Sequence, residues 1–327
     1  MPRANEMLSR VAENLYWVAR YIERAENTAR LINVNAHLLL DLPKTVAFGW
    51  NPLIEITGSE ALFRELYDEA NERNVIKFLT GDANHPGSIL TSLQHARENV
   101  RTMRDFLPRE AWEQLNSLYL MARSQLSAAL SKHKRHDYLR SIISGTQLMV
   151  GIFASTITHD HGYDFLRLGR YLERADMTSR IIDVRSADLI ADHGDLIPFY
   201  HIQWMSVLRS MSADQMYQRQ IQGPVRRADV LRFLFQDPQF ARSIYYCLFH
   251  AGAFLRHLPR NEVPLQHLIQ LQRVVSEADL ERLKQEDLHD FIDELQRKLA
   301  IIHNHITATY FAATIPDETT TKRTSAL

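Results

Sequence analysis

The sequence predicts an all-α protein, a helical bundle built from two tandem copies of a unit of about 150 residues related by pseudo-twofold symmetry. Glycine and proline are scarce, with 11 of each among 327 residues, which disfavours turn-rich β folds and disordered tracts. Apolar residues recur at the three- and four-residue spacing of a helix through most of the chain. Segments of the first half return in the second half, and this repetition predicts the tandem arrangement.

Three pairs of segments carry the repeat. Residues 20–34 (RYIERAENTARLINV) return at 170–184 (RYLERADMTSRIIDV) with nine identities in 15 positions. Residues 75–101 match 230–256 at an offset of 155, and 136–139 (HDYL) match 289–292 (HDFI). The pairs keep their order at nearly one offset, and no linker-like segment separates the halves. We therefore predict one domain made of a first repeat over 1–157 and a second over 158–315, followed by a disordered tail over 316–327.

The individual helices follow from the apolar spacing and from the prolines that interrupt it. The first repeat is predicted to hold helices over 4–41, 59–80 with a break, 87–107, 109–132 and 136–157. The second is predicted to hold helices over 162–190, 198–220, 226–236, 238–257, 263–275 and 279–313. Ser88 and Ser243 each open an apolar run, so each is predicted to cap a helix or to lie in its first turn.

Composition and charge narrow the function classes. The 38 basic residues nearly balance the 39 acidic ones, so no global field favours nucleic acid or an anionic membrane. Only seven of the 38 are Lys, and the excess of Arg suits bidentate ion pairs. The single Cys247 and the lack of an apolar N-terminal segment predict a cytoplasmic protein. The longest uncharged run, 141–158, contains seven Ser, Thr or Gln residues, which predicts a bundle helix and no membrane span.

A charged stripe lies opposite an apolar stripe on the helix of each repeated segment. Glu26 and Arg30, like Asp176 and Arg180, have the acid four positions before the base, which is the favourable order for a helical ion pair. Three interpretations stay open: a packed ion-pair network, a surface that binds a ligand or partner, and a solvated face. The residues concerned are Arg20, Glu23, Arg24, Glu26, Arg30, Arg170, Glu173, Arg174, Asp176 and Arg180.

A second basic cluster lies on the predicted helix over 87–107. Arg97, Arg101 and Arg104 share one helical face by their spacing, with Asn99 beside them. Three arginines together could hold a phosphate or a carboxylate. The second repeat keeps only Arg256 at the matching positions, so the cluster is either a one-sided anion site or a tolerant surface.

Familiar catalytic motifs are missing from the sequence. It contains no glycine-rich phosphate loop, no nucleophile elbow, no paired cysteines and no His-Glu-x-x-His, so neither a cofactor nor a metal is expected. Cys247 falls in mid-helix and is predicted to be a core thiol. Glu23 and Glu173 are the candidate catalytic residues, each as a general base, although neighbouring arginines would lower their pKa.

Four stretches resemble the bacterial alpha-E domain family: 7–30 (MLSRVAENLYWVARYIERAENTAR), 82–101, 112–116 (WEQLN) and 168–175 (LGRYLERA). The resemblance spans nearly the whole chain. The turn 159–162 (HDHG) departs from the family pattern, which weakens any role for its histidines. The family's Glu-Arg-x-Glu and Arg-Glu-Asn-x-Arg positions fall here on Glu23, Arg24, Glu26, Arg97, Glu98, Asn99 and Arg101.

The resemblance implies a place in an ATP-dependent amide-ligating system. Members of the family are all-helical and are encoded beside, or fused to, circularly permuted ATP-grasp proteins and transglutaminase-like peptidases. The leading hypothesis is a non-catalytic accessory or scaffold subunit that binds the ATP-grasp ligase, or an anionic peptide substrate, through its Arg/Glu helix faces. The transglutaminase-like protein is a second implied partner. The alternative is an enzyme of the same pathway with a Glu general base and an Arg clamp on a carboxylate or phosphate substrate. The oligomeric state is left open.

Overall fold

Two long helices, α1 (Ser9–Asp41) and α9 (His161–Ala187), pack along each other at the centre of the fold. The computed structural model describes residues 9–41, 49–187 and 200–311, and every regular element in these ranges is a helix. The predicted all-α class is therefore confirmed. The predicted tail over 316–327 lies outside the described residues.

Thirteen further helices surround the central pair in the described ranges. Between α1 and α9 the chain forms α2 (Asn51–Ile56), α3 (Glu60–Leu66), α4 (Glu72–Gly81), α5 (Ile89–Thr102), α6 (Arg109–Ser124), α7 (Leu126–Leu130) and α8 (Arg135–Thr156). After α9 it forms α10 (Tyr200–Ser210), α11 (Asp214–Gln220), α12 (Arg227–Gln236), α13 (Ile244–His257), α14 (Glu262–Glu277) and α15 (Gln285–Ile306), followed by a π-helical turn, Thr307–Phe311.

The packing follows a similar order around each central helix. Helix α1 packs against α5 and α8, and α6 covers those two from outside. Helix α9 packs against α13 and α15, and α14 covers them in the same manner. Val18, Ala25 and Ile32 of α1 are fully buried, as the apolar stripe predicts. The division into two repeats is an inference from the sequence, and its predicted boundary falls in the turn between α8 and α9.

A glycine sets the close approach of α1 and α9. A Cβ atom at Gly169 would lie 2.2 Å from the backbone carbonyl oxygen of Tyr16, so any side chain there would collide with the α1 backbone. Ala19 is the residue of α1 that corresponds to Gly169 in the repeat, and it is also small. Small residues at these places bring the two helices close enough for side chains on both to form short ion pairs.

Two corresponding turns introduce α5 and α13. The Ser88 side chain accepts a hydrogen bond from the Thr91 backbone N–H at 3.2 Å, and Ser243 accepts one from Tyr246 at 3.0 Å. Both serines are therefore N-caps, as predicted. Just before them, the aromatic ring of His85 stacks on Phe78 with 4.1 Å between ring centroids, as Phe240 stacks on Phe233 at 4.6 Å. The two turns thus share their caps and their ring packing.

Several predicted helix bounds are wrong, and each error has a local cause. The predicted helix over 198–220 is two helices, because Ser212 adopts a positive φ of 52° between α10 and α11. The prediction lacks helix α2, because a proline such as Pro52 interrupts a helix at most positions. Here it lies in the first turn, where proline is tolerated. Helix α13 begins at Ile244 instead of 238, because the Asp237 carboxylate accepts the backbone N–H groups of a turn that precedes the cap.

The uncharged run 141–158 lies mostly in α8, which packs against α1 and α6. Among the helices of the described residues, none combines the length and the apolar character that crossing a bilayer requires.

Candidate functional site

The two repeated charged stripes meet between α1 and α9. The Glu173 carboxylate of α9 accepts hydrogen bonds from Arg20 Nε at 2.7 Å and from Arg24 Nε and Nη2 at 2.6 and 3.0 Å, both arginines belonging to α1. In the opposite direction, the Glu23 carboxylate of α1 accepts from Arg174 Nε and Nη2 at 2.7 and 2.8 Å and from Arg170 Nε at 3.2 Å. Each helix therefore supplies the carboxylate that the arginines of the other helix bind.

Both carboxylates are buried, and each is 1 % exposed. Burial alone would raise the pKa of Glu23, but Arg174, Arg242 and Arg170 lower it well below its ordinary range. Burial likewise acts to raise the pKa of Glu173, and Arg24 and Arg20 outweigh it and lower this pKa to about 2. Both groups are thus ionised at neutral pH and have little tendency to take up a proton.

Arg242 extends the network on the Glu23 side, and sequence reasoning did not identify it. Its guanidinium donates to Glu23 Oε1 at 3.1 Å, to Asn27 Oδ1 at 2.9 Å and to Glu26 Oε1 at 2.6 Å. Burial and then Arg174 lower the pKa of Arg242 to about 10, so the group is still charged at neutral pH. The sequence does distinguish this position between the repeats: Arg242 directly precedes the cap Ser243, whereas Gly87 directly precedes the corresponding cap Ser88.

The two predicted i,i+4 pairs form at the edges of this network. Arg30 donates to Glu26 at 2.8 Å, and Arg180 donates to Asp176 at 3.0 Å. All ten residues predicted from the stripes therefore make ion pairs along the α1–α9 contact. Glu23, Glu26 and Glu173 lie between helices and not in solvent.

The predicted helix over 87–107 extends too far, because α5 ends before the last arginine of the basic cluster. The helix ends at Thr102, so Arg104 lies in the following turn and the three arginines do not share one helical face. Arg97 donates to Asn116 at 2.8 Å and to Glu98 at 2.6 Å, and Arg101 donates to Glu98 at 2.7 Å.

Trp112 brings two of these arginines back together. The guanidinium carbon of Arg104 lies 4.4 Å from the Trp112 ring centroid, and that of Arg97 lies 5.2 Å from it. The contact with the Trp112 ring face leaves the N–H groups of Arg104 able to bind a further partner. No described residue forms a hydrogen bond with the Arg104 guanidinium or with the Asn99 side chain. We call this surface the arginine corner, defined by Arg97, Arg101, Arg104 and Trp112.

A cavity of about 260 Å³ opens beside Glu173, between α1, α9 and the turn before α5. His85 lies in its wall and is 3 % exposed, and no described residue forms a hydrogen bond with either of its ring nitrogens. Burial is the main reason that the pKa of His85 is lowered to about 4, so the ring is neutral at neutral pH. The Thr28 hydroxyl, also in the wall, likewise has no partner among the described residues.

One group of side chains among the described residues has the types of ligand atom that a metal ion binds. Asp183, His289 and Asp293 bring ligand atoms within 4.8 Å of one another, and two of the three are exposed. His289 Nδ1 already contacts the Asp183 carboxylate at 2.8 Å, and His136 contacts Asn33 at 3.0 Å at the corresponding place of the first half. The Asn33 amide makes the same contact in the first half as the Asp183 carboxylate makes in the second. The contact is therefore explained as a hydrogen bond that links two helices. Cys247 is buried, and burial raises its thiol pKa to about 12, as suits a core residue.

These features define a class: an all-helical domain whose central helix pair is joined by reciprocal Arg–Glu ion pairs. The chain belongs to the Alpha-E family, described as a predicted alpha-helical domain with a conserved ER motif, whose profile matches residues 7–311. The dipeptide Glu-Arg occurs at 23–24 and 173–174, at the centre of the buried network.

The chain is similar to three curated mycobacterial proteins. Uncharacterized protein Mb2597 of Mycobacterium bovis is 24 % identical over 268 residues, covering 76 % of this chain and 30 % of that relative. Uncharacterized proteins MT2643 and Rv2567 of Mycobacterium tuberculosis match with the same identity and coverage. The chain thus spans less than a third of the length of these relatives. No solved structure matches it significantly.

Proposed function

We propose that this chain is a non-catalytic helical accessory subunit of a bacterial, cytoplasmic ATP-grasp amide-ligase system that makes or modifies peptides. One observation carries the non-catalytic part. The catalytic candidates Glu23 and Glu173 are buried, and each carboxylate is bound by at least two arginines. A general base must be able to take up a proton near the working pH, and arginine neighbours oppose that.

Two further points support a role beside another protein. The family resemblance implies a circularly permuted ATP-grasp protein as a partner and a transglutaminase-like protein as a second one. In the mycobacterial relatives, about 70 % of each chain lies outside the matched region, so there the matched segment is accompanied by other polypeptide. A helical module that accompanies a larger partner fits an accessory role.

The arginine corner is the surface that we assign to partner binding. The stripes on α1 and α9 are occupied by each other, whereas the Arg101 side chain is 53 % exposed and the Arg104 guanidinium rests on Trp112 with its N–H groups available. Guanidinium groups bind carboxylates in a bidentate manner. An acidic segment of the ligase, or an anionic peptide substrate, is the partner whose chemistry fits this corner.

The test uses the circularly permuted ATP-grasp protein of the same genome. Purified ligase is titrated with this chain. Calorimetry measures association, a coupled assay measures ADP release, and mass spectrometry measures the ligated product. We expect a complex and a change in ligase activity. We also expect Arg101→Glu/Arg104→Glu to weaken association at least tenfold, because carboxylates would then face an acidic partner.

The matched control is Arg282→Glu, since Arg282 is 88 % exposed and pairs with Asp279 far along the chain from the corner. It should leave association unchanged. A ligase that neither binds this chain nor changes its rate in its presence would contradict the accessory role. Equal weakening by the control variant would contradict the assignment of the corner.

The alternative of an enzyme with a Glu general base is not favoured by any observation here. It requires Glu23 or Glu173 to take up a proton near neutral pH. The arginines that bind each carboxylate outweigh the effect of burial and lower its pKa, which opposes that role.

A further inference from the structure

Two turns correspond in sequence and in structure, but one carries an arginine where the other carries a glycine. The turn over 82–88 leads into α5, and the turn over 237–243 leads into α13. Both contain an aspartate that accepts backbone N–H groups, a stacked ring and a serine cap. The residue before the cap is Gly87 in the first turn and Arg242 in the second.

Arg242 acts as a bridging cation in its half of the molecule. One guanidinium nitrogen donates to Glu23, and the other donates to Glu26, one helical turn further along α1. These two carboxylates also retain their own arginines from the helix network, at 2.7 Å for Arg174 and 2.8 Å for Arg30. The site thus accommodates a buried guanidinium even though three other guanidinium groups, including that of Arg170, bind the same two carboxylates.

The corresponding place in the other half has no such cation among the described residues. Glu173 and Asp176 of α9 correspond to Glu23 and Glu26 of α1, and they are bound by Arg24 and Arg180 in the same way. At the position where a side chain from residue 87 would bridge them there is the cavity of about 260 Å³, with Gly87 in its wall. This space is far more than one or two waters need.

His85 is an independent sign that the cavity takes a polar ligand. The corresponding residue is Phe240, which packs its ring in the same place and needs no polar partner. His85 belongs to the cavity wall, and both of its ring nitrogens are buried and have no hydrogen-bond partner among the described residues. Buried polar atoms are nearly always paired, and a neutral imidazole can accept a hydrogen bond at one nitrogen.

Comparison with the other half indicates the ligand. Arg20, Arg24 and Arg180 bind the two carboxylates Glu173 and Asp176. The other half has three corresponding arginines on its two carboxylates, and it still takes up Arg242 as a fourth. In the other half, Arg242 donates to both Glu23 and Glu26. A ligand that replaces it beside Gly87 must likewise donate to two carboxylates at once. We propose that this cavity binds the guanidinium group of a ligand, either a small guanidinium compound or an arginine side chain of a peptide. The site is separate from the arginine corner and does not depend on the accessory function.

The primary experiment is calorimetric titration with agmatine and with N-carbamoylputrescine, in which a neutral ureido group replaces the guanidinium. We expect saturable one-to-one binding of agmatine and at least tenfold weaker binding of the ureido compound. Titration with Nα-acetylarginine amide distinguishes the sources: affinity equal to that of agmatine assigns the site to a peptide arginine, and much weaker binding assigns it to a small guanidinium compound.

Variants place the binding in the cavity. His85→Phe/Gly87→Arg copies the second turn into the first, and its arginine should fill the cavity, abolish agmatine binding and raise the melting temperature. The histidine is changed together with the glycine so that the turn carries the same pair of residues as Phe240 and Arg242 in the second turn. Asp176→Asn removes one of the two carboxylates while it keeps the shape of the side chain, and it should weaken agmatine binding about tenfold.

Arg242→Gly is the reciprocal variant. It should open a matching cavity beside Glu23, lower the melting temperature, and regain part of the loss when agmatine is added. The proposal is overturned if agmatine does not bind, or if it binds the His85→Phe/Gly87→Arg variant as tightly as the unmodified protein. It is also overturned if inorganic phosphate binds in the cavity in preference to agmatine, because the ligand would then be an anion held by Arg24 and Arg180.

Discussion

The Arg174 guanidinium binds the Glu23 carboxylate through two hydrogen bonds, of 2.7 and 2.8 Å, across the contact between α9 and α1. Arg24 and Glu173 form the same bidentate pair in the opposite direction, at 2.6 and 3.0 Å. Both carboxylates are nearly inaccessible to solvent. The two pairs therefore hold the central helices at one position along each other, because sliding either helix would leave buried charges without partners.

Replacement of Glu23 by glutamine should destabilise the fold strongly. Glu23→Gln removes the negative charge that faces Arg170, Arg174 and Arg242, and it leaves the buried guanidinium groups of Arg174 and Arg242 without that charge. Breaking a buried ion pair from one side costs about 3–5 kcal/mol. Urea unfolding followed by circular dichroism measures the change. Glu113→Gln is the control, because its pair with Arg109 is exposed and such pairs contribute less than about 1 kcal/mol. Equal losses in the two variants would refute the structural role of the network.

A methyl group at position 169 should separate the central helices. Gly169→Ala places a Cβ 2.2 Å from the Tyr16 carbonyl oxygen, so the helices must move apart and the ion pairs must lengthen. Overpacking of this kind costs roughly 1–3 kcal/mol. In the matched control, Gly151→Ala in α8, the new Cβ meets nothing within 4 Å, and alanine should stabilise that helix by roughly 0.5–1 kcal/mol. The two melting temperatures should shift in opposite directions. A rise in the melting temperature of Gly169→Ala would contradict this prediction.

The buried histidine should make stability depend on pH in the mildly acidic range. The pKa of His85 is lowered from 6.5 to about 4, chiefly by burial. Below pH 6.5 the unfolded chain therefore binds a proton that the folded chain does not bind, and the free energy of unfolding decreases as the pH falls from 6.5 to 4. The expected loss is on the order of 2 kcal/mol.

His85→Phe should flatten this part of the stability curve when urea unfolding is measured at several pH values. His303 contributes a loss in the same direction, since burial and Arg20 lower its pKa to about 4, so the curve should flatten but keep some slope. His133 is exposed, and His133→Gln serves as the control that should leave the curve as it is. An identical slope in His85→Phe and the unmodified protein would contradict the prediction.

The two serine caps should contribute similarly to their helices. Ser243→Ala removes the acceptor for the Tyr246 N–H, and Ser88→Ala removes the acceptor for the Thr91 N–H. Loss of an N-cap side chain costs about 1 kcal/mol. Ser124→Ala, in the exposed last turn of α6, should cost less than about 0.5 kcal/mol. Thermal unfolding of the three variants measures these losses of stability. A loss for Ser124→Ala as large as those of the two cap variants would contradict the prediction.

Local signals were sufficient for most of the helices and failed at particular turns. Apolar spacing identified α1, α8 and α9 because a long amphipathic pattern reflects the core that the helix will face. It missed α2, since Pro52 reads as a break in sequence although it fits the first turn of a helix. It also predicted one continuous helix across Ser212. The chain turns there because Ser212 has a positive φ, which a serine in the sequence does not indicate.

The candidate residues of the network were identifiable because the same charged pattern occurs twice. Spacing within one helix predicted the Glu26–Arg30 and Asp176–Arg180 pairs, since residues four apart lie together on a helix. The partners of Glu23 and Glu173 were not predictable in this manner. They come from another helix more than 140 residues away, and the choice among burial, binding and solvation depends on what covers the stripe.

The sequence by itself determined the helical class, most of the helices and the residues of the charged stripes, because these depend on periodicities that neighbouring residues create. The tertiary structure alone decided that the stripes bind each other, that Arg242 completes one side of the network, and that a cavity lies beside Gly87 on the other side. The physical reason is that an ion pair between helices and a space between them depend on distances that no local pattern records. Those distances are set by the close packing of α1 on α9 at Gly169.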